Sequence, residues 1–355
     1  MPSLDLLGWT PDRAAAFAAH EARGLRPARV MSEHKGGLAL SWEGGELLGS
    51  PSARLRATAR AAVGDWVAFE PPASGRRAWV HEVLPRESAF VRKAAGREVA
   101  EQVVAANVDA VFLCTALGRD LNPRRLERYL ALSWQSGARP VVVLTKLDLH
   151  PELLPDALAL CAEVAPGVPA HPLSARTGEG IDEVRAYTAC SRTVALLGSS
   201  GVGKSTLVNR LLGAEHQPVR EVRVRDERGR HTTARRDLLV LPGGGLLLDT
   251  PGMRELQLWD AEQGVARAFA DVEALASSCR YADCSHAGDA GCAVAAAVEQ
   301  GELAPERLDS YLRLAREMDW LRALQDERAR ADRKGRDKSA QRALRSRLRE
   351  KGRGD

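Results

Sequence analysis

Hydrophobic and polar positions divide the 355-residue chain into successive regimes. Residues 14–23 form an alanine-rich helical run. From Ala28 to about Val91 short apolar runs recur, at 38–42, 66–69 and 78–83, broken by Gly36-Gly37, Gly44-Gly45, Gly64-Asp65 and Pro71-Pro72. Several short strands between turn signals predict a small barrel. Beyond about Ala100 buried strands alternate with amphipathic helices: strands over 109–114, 140–145, 193–197 and 246–249, helices over 123–135 and 206–212. That alternation predicts a mostly parallel sheet covered by helices, with ligands at the carboxyl ends of its strands. After Trp259 strand patterns cease and the chain reads as helix around a Cys/His cluster. No internal repeat is visible.

The strand over 193–197 runs into Gly198-Ser199-Ser200-Gly201-Val202-Gly203-Lys204-Ser205-Thr206, which fits the phosphate loop G-x-x-x-x-G-K-[ST]. A helix follows, so loop N–H groups and the helix N-terminus converge on the phosphates. Lys204 is expected on the β- and γ-phosphates and Ser205 on Mg²⁺.

Four further segments bear on the nucleotide. Asp249-Thr250-Pro251-Gly252 ends an apolar strand, where Asp249 can hold a Mg²⁺ water and the Gly252 N–H can sense the γ-phosphate. Thr145-Lys146-Leu147-Asp148 ends another; the Asp148 carboxylate can accept from N1 and N2 of guanine, and the Lys146 stem can cover the base. Ser174-Ala175-Arg176 lies in a loop, where a backbone N–H can meet guanine O6. Between loop and Asp249 lie Arg230-His231-Thr232-Thr233, where Thr232 or Thr233 can complete the Mg²⁺ shell. The guanine-reading segments precede the phosphate loop, so the motif order is circularly permuted.

Cys279, Cys284, His286 and Cys292 supply three thiolates and one imidazole within fourteen residues. That is a closed tetrahedral set for one structural Zn²⁺, with no position for a reactive water. Cys114, Cys161 and Cys190 lie outside it and read as ordinary core or surface residues.

Composition adds little except in its distribution. The net charge is +4, yet residues 322–355 hold thirteen Lys/Arg against six Asp/Glu, which leaves residues 1–321 at −3. The excess positive charge sits in one tail, as a polyanion-binding segment would have it. No signal peptide or transmembrane run is visible, so a cytoplasmic location is expected. In the barrel region Arg29, Arg54, Arg56 and Arg60 interleave with Trp42, Trp66 and Trp79. This suits either a single-strand-binding surface or an aromatic core, with core expected for at least two of the tryptophans.

With its permuted motifs, its zinc set, and the segments Ala62-Val63-Gly64-Asp65-Trp66-Val67 and Ala106-Asn107-Val108-Asp109, nearly the whole chain resembles the circularly permuted small-ribosomal-subunit-dependent GTPases, the RsgA or YjeQ/YloQ family. The resemblance implies an OB-fold barrel over 27–92 after an extension over 1–26. It then implies a permuted α/β GTPase domain over 100–262, a helical zinc-binding domain over 263–321 and a basic tail over 322–355. It also implies GTP hydrolysis coupled to late maturation of the 30S subunit, with 16S rRNA as partner, GTP and GDP as ligands, no membrane, and a monomeric state. The family's guanine motif usually begins with Asn where Thr145 stands, which puts the amide's contacts to guanine N7 and the phosphate loop in question. Arg176 replaces the usual Lys. Met253 stands where Ras-like enzymes carry a water-orienting Gln. His231 is the candidate for that task, against a role in tethering its loop. Competing readings are a P-loop ATPase or kinase, which Asp148 disfavours, another RNA-binding NTPase, and an RNA scaffold with a degenerate nucleotide fold.

Overall fold

The computed structural model describes residues 3–34, 36–72, 74–75, 77–93, 101–213, 237–249 and 261–323. Helix α1 (Pro11–Glu21) begins where the Thr10 hydroxyl accepts from the Arg13 N–H at 3.3 Å and Pro11 takes the first helical position. It starts three residues before the alanine-rich run because the cap, not the alanines, sets the boundary.

A barrel follows. Strands β1 (Arg26–His34), β2 (Gly37–Trp42) and β3 (Gly45–Pro51), the short helix α2 (Ala53–Thr58), β4 (Trp66–Glu70) and β5 (Arg77–Val83) follow one another in the chain. The strand order β1-β2-β3-β5-β4 closes through β4 on β1, with β3 and β5 parallel. Alternate residues fill its interior: Ala28 and Val30, Leu38 and Leu40, Val67 and Phe69, Ala78 and Val80. The three tryptophans part company. Trp66 is 1% exposed, Trp42 packs edge-on to Phe69 with centroids 5.2 Å apart, and Trp79 stands 51% exposed on the outer face. Arg54, Arg56 and Arg60 are exposed. Arg29 corrects the surface reading: it is 2% exposed, pointing out of the barrel into a buried joint with the segments that follow.

The hairpin β6 (Ala89–Lys93) and β7 (Glu101–Ala106) leads into β8 (Ala110–Ala116), α3 (Pro123–Ser136), β9 (Arg139–Thr145), α4 (Leu154–Val164), β10 (Ala170–Pro172), α5 (Ile181–Arg185), β11 (Thr193–Gly198), α6 (Lys204–Leu212), β12 (Asp237–Val240) and β13 (Leu246–Asp249). These strands lie in the order β10-β9-β8-β11-β13-β12, parallel except for β12. All seven residues of β8 are buried, as a parallel strand covered on both faces requires. The phosphate-loop strand β11 sits centrally, flanked by a strand that precedes it in the chain and one that follows. That is how a permuted order still assembles a continuous sheet. β12 also meets β1 at Ser32 and Asp237, which joins sheet and barrel.

Three short helices, α7 (Glu262–Ala268), α8 (Ala270–Ala276) and α9 (Ala293–Glu299), and a longer helix α10 over 305–323 form the last module. Buried Arg307 on α10 anchors it. Its guanidinium donates to Glu127 on α3 at 2.8 Å, to Asp271 at 2.8 Å and to the Ala268 carbonyl at 2.7 Å. Arg128 pairs with Glu317 at 2.5 Å and Arg124 with Asp309 at 2.8 Å, so α3 carries much of the contact to α10. Among the described residues no helix is long and apolar enough to cross a membrane.

Candidate nucleotide-binding site

β11 ends in Gly198, whose backbone has φ +156°; a Cβ there would stand 2.5 Å from the Cys114 carbonyl oxygen, so the loop leaves the sheet where only glycine fits. Gly201 and Gly203 also take positive φ, and α6 starts at Lys204. The first-turn N–H groups of α6 have no partners within the helix, so they and the loop amides form an anion-binding end. The Lys204 ammonium lies over the loop, donating to the carbonyls of Gly198 at 2.8 Å and Ser199 at 2.5 Å. Beneath it, burial pushes the Cys114 thiol up to about 12, which keeps that sulfur protonated and inert.

The residues expected on the guanine side gather on neighbouring strand ends. Asp148 Oδ1 accepts from the Ser174 hydroxyl at 2.6 Å, and Oδ2 from Arg176 at 2.6 Å. The hydrogen bond from Ser174, aided by Arg176, holds the Asp148 carboxyl below its ordinary value despite partial burial. Arg176 thus engages Asp148 through its side chain. Ser174 is fully buried, and its Oγ also accepts from the Thr177 N–H at 3.1 Å, which shapes the turn carrying Ala175. Lys146 adopts φ +61°, a left-handed conformation uncommon for lysine, at the bend between Thr145 and Asp148.

Thr145 joins the two halves. It is 2% exposed, and its hydroxyl donates to the Val202 carbonyl of the phosphate loop at 2.6 Å, with the Thr115 carbonyl at 3.3 Å. The tether to the loop is therefore present without an amide side chain.

Two roles escaped the sequence reading. Asp120, in the turn after β8, accepts from Ser199 Oγ of the phosphate loop at 2.6 Å and from Arg125 at 2.8 Å; its other oxygen accepts from the Ala116 N–H at 3.1 Å. A polar turn at the carboxyl end of a buried strand, just before the Asn122-Pro123 helix start, was the available signal. The other is that of Arg29. It donates to the carbonyls of Leu7 at 2.5 Å, Gly64 at 3.0 Å and Asn107 at 3.0 Å, and to Thr193 Oγ1 at 3.0 Å. Asn107 returns its amide to the Gly64 carbonyl at 3.0 Å, and a Cβ on Gly64 would stand 2.1 Å from the Ala106 carbonyl oxygen. The segments 62–67 and 106–109 thus form one joint, and Asp109 in it accepts from the Thr193 N–H at 2.6 Å. Burial, then repulsion from Arg13, pushes the Arg29 guanidinium down to about 9, still charged at neutral pH. Among alternating barrel residues nothing marked it out.

Away from this site, the ligand atoms of Cys279, Cys284, His286 and Cys292 all lie within 4.8 Å of one another and could hold a metal ion. His286 Nδ1 is 3.6 Å from Cys279 Sγ and 3.5 Å from Cys292 Sγ, and those two sulfurs are 4.0 Å apart. His286 takes φ +56° to aim its ring inward. Asp249 is the last residue of β13. Gly252, Met253, Arg230, His231, Thr232, Thr233 and residues 324–355 of the tail lie outside the described residues.

Residues 83–259 match the family model described as RsgA GTPase. The chain is 45% identical over 336 residues to the small ribosomal subunit biogenesis GTPase RsgA of Streptomyces avermitilis, covering 92% of this chain and 88% of the relative. It is 48% identical over 329 residues to that of Opitutus terrae, covering 89% of each. In fold it is similar to the crystal structure of YjeQ from Thermotoga maritima, with a TM-score of 0.63 at 27% identity over 83% of this chain and 98% of that one. It is similar in fold also to YloQ, a circularly permuted GTPase, with a TM-score of 0.60 at 22% identity over 83% of this chain and 95% of that one.

Proposed function

The chain belongs to the RsgA GTPase family and is a GTP hydrolase of small ribosomal subunit biogenesis, and from that premise we propose how its residues divide the work. The observation that carries the reading is the 2.6 Å bond from Thr145 to Val202, which sets a guanine-reading strand end directly against a phosphate loop. Residues 198–206 wrap the phosphates through backbone N–H groups, and Lys204 moves from the loop carbonyls onto the β- and γ-phosphate oxygens. Asp148 accepts from guanine N1 and N2, Ala175 donates to O6, Ser174 orients Asp148, and the Lys146 stem covers the base. Adenine offers an acceptor where guanine has its N1 proton, so Asp148 rejects it.

Ser205, Asp249 and one of Thr232 and Thr233 would hold Mg²⁺, which when bound offsets charge on the β- and γ-phosphate oxygens. Ser205 stands in the first turn of α6, where a hydroxyl suits that task. His231 accepts a proton from the attacking water, because Met253 has no group that can orient it. Gly252 senses the γ-phosphate through its N–H.

The Cys/His set is read as structural zinc. A tetrahedral ion with Zn–S of about 2.3 Å and Zn–N of about 2.0 Å puts sulfurs about 3.8 Å apart and sulfur and nitrogen about 3.5 Å apart. The 4.0, 3.6 and 3.5 Å separations support it. The reading extends to a monomeric, cytoplasmic protein that binds 16S rRNA of the 30S subunit through barrel, metal module and tail, with turnover raised by the subunit. GTP turnover of the full chain, alone and with purified 30S or 50S subunits, tests it. Stimulation by 30S only is expected, and turnover indifferent to 30S overturns the coupling.

A further inference from the structure

We propose that Thr145 makes this nucleotide site indifferent to N7 of the purine, so that it recognises guanine through its N1, N2 and O6 edge alone. The inference rests on the guanine reading above and sharpens it. A guanine with N1 and N2 on Asp148 turns its imidazole ring back toward the strand end and the phosphate loop. Thr145 is the buried side chain that spans that gap. Its hydroxyl carries one proton. That proton is committed to the Val202 carbonyl at 2.6 Å, with the Thr115 carbonyl at 3.3 Å as its other acceptor.

What Thr145 has left is lone pairs, and purine N7 is itself an acceptor. The two cannot bond. Rotating the hydroxyl toward N7 would strand the Val202 carbonyl in a place where Thr145 is 2% exposed, which costs more than the new bond returns. A Cβ placed on Gly203 would stand 3.8 Å from Thr145 Oγ1, so the loop backs directly against this side chain. Thr145 therefore acts as a positioning residue for the loop, and base selection falls to Asp148 and its neighbours.

The test titrates the full chain with GDP and with 7-deaza-GDP, which has a carbon at that position. Equal affinities within about twofold are expected, since no hydrogen bond is lost. A larger loss with the 7-deaza nucleotide overturns the proposal. Thr145→Asn supplies two amide protons, enough for both loop and base, and should open a preference of about fivefold for GDP, the worth of one hydrogen bond. If that variant also treats the two alike, residue 145 does not face N7 and the proposal falls. Thr145→Val should weaken both nucleotides in parallel, and a change in their ratio would again count against it. Asp148→Asn with xanthosine diphosphate separates the two levels. Without a shift toward xanthine the guanine reading fails and takes this inference with it; with the shift but with N7 discrimination in the natural chain, this inference alone fails.

Discussion

Arg29 Nη2 donates to Thr193 Oγ1 at 3.0 Å, which bonds the first strand of the barrel to the first residue of the phosphate-loop strand. The same nitrogen donates to the Asn107 carbonyl, so barrel, connecting hairpin and nucleotide sheet meet on one guanidinium. The barrel is held to the strand that carries the phosphate loop by a buried charge with four acceptors, a planar fork that lysine cannot imitate.

Arg29→Ala should therefore lower stability by roughly 3 kcal/mol or more, because three carbonyls lose a charged donor in a dry joint. Arg29→Lys should recover only part of it. Chemical denaturation of the three proteins measures both, and a loss below about 1 kcal/mol for Arg29→Ala would show that the joint relaxes around the gap.

Asp120 and Ser199 should be energetically coupled. Asp120→Ala and Ser199→Ala each remove the 2.6 Å bond that steadies the phosphate loop, so each should reduce kcat/KM for GTP on the order of fivefold to tenfold. The double variant should be little worse than the single ones. Strict additivity in that cycle would mean the contact does no positioning.

GDP affinity should resist acid. The Asp148 carboxyl sits below its ordinary value, so it stays charged and accepting as pH falls through about 4, where a free Asp is half protonated. Affinity, like the folding stability this carboxylate contributes, is present above the unfolded value and lost only through the lower folded one. Ser174→Ala removes the strongest of the influences that lower it, and should move the acid limb of binding to higher pH. Coincident limbs in calorimetric titrations carried down through about pH 3, below the ordinary Asp value, would reject that role for Ser174.

Metal removal should separate the modules. The Cys/His set brings its ligand atoms within 4.8 Å in a loop between α8 and α9, and Cys292 at its end is the N-cap of α9. Chelation should release amide protection in α9 within the intact chain, while α6 retains it. Unchanged exchange in α9 after the metal is stripped would remove the structural role.

His231→Ala should lower kcat far more than GTP affinity, since its interaction with water is made in the transition state. Single-turnover rates beside equilibrium binding decide it, and a matching loss of binding would assign the residue to tethering its loop.

Some of this was legible in residue order alone. The phosphate loop from Gly198 to Ser205 and the set Cys279, Cys284, His286 and Cys292 are local: their chemistry is encoded in spacing over a few residues, so no long-range contact is needed to recognise them. The barrel and the parallel sheet followed from alternation and from fully apolar strands, because burial on one face or two dictates those patterns. What only the tertiary structure decided involves partners far apart in the chain. Thr145 meets Val202 57 residues on, Ser199 reaches back 79 residues to Asp120, and Arg29 reaches Thr193 across 164 residues. Periodicity cannot distinguish a barrel arginine facing solvent from one facing a joint. Nor can a motif show that a threonine keeps the loop contact expected of an asparagine. Both depend on which backbone carbonyls the fold brings within reach of a side chain, and the amino-acid sequence does not print that distance.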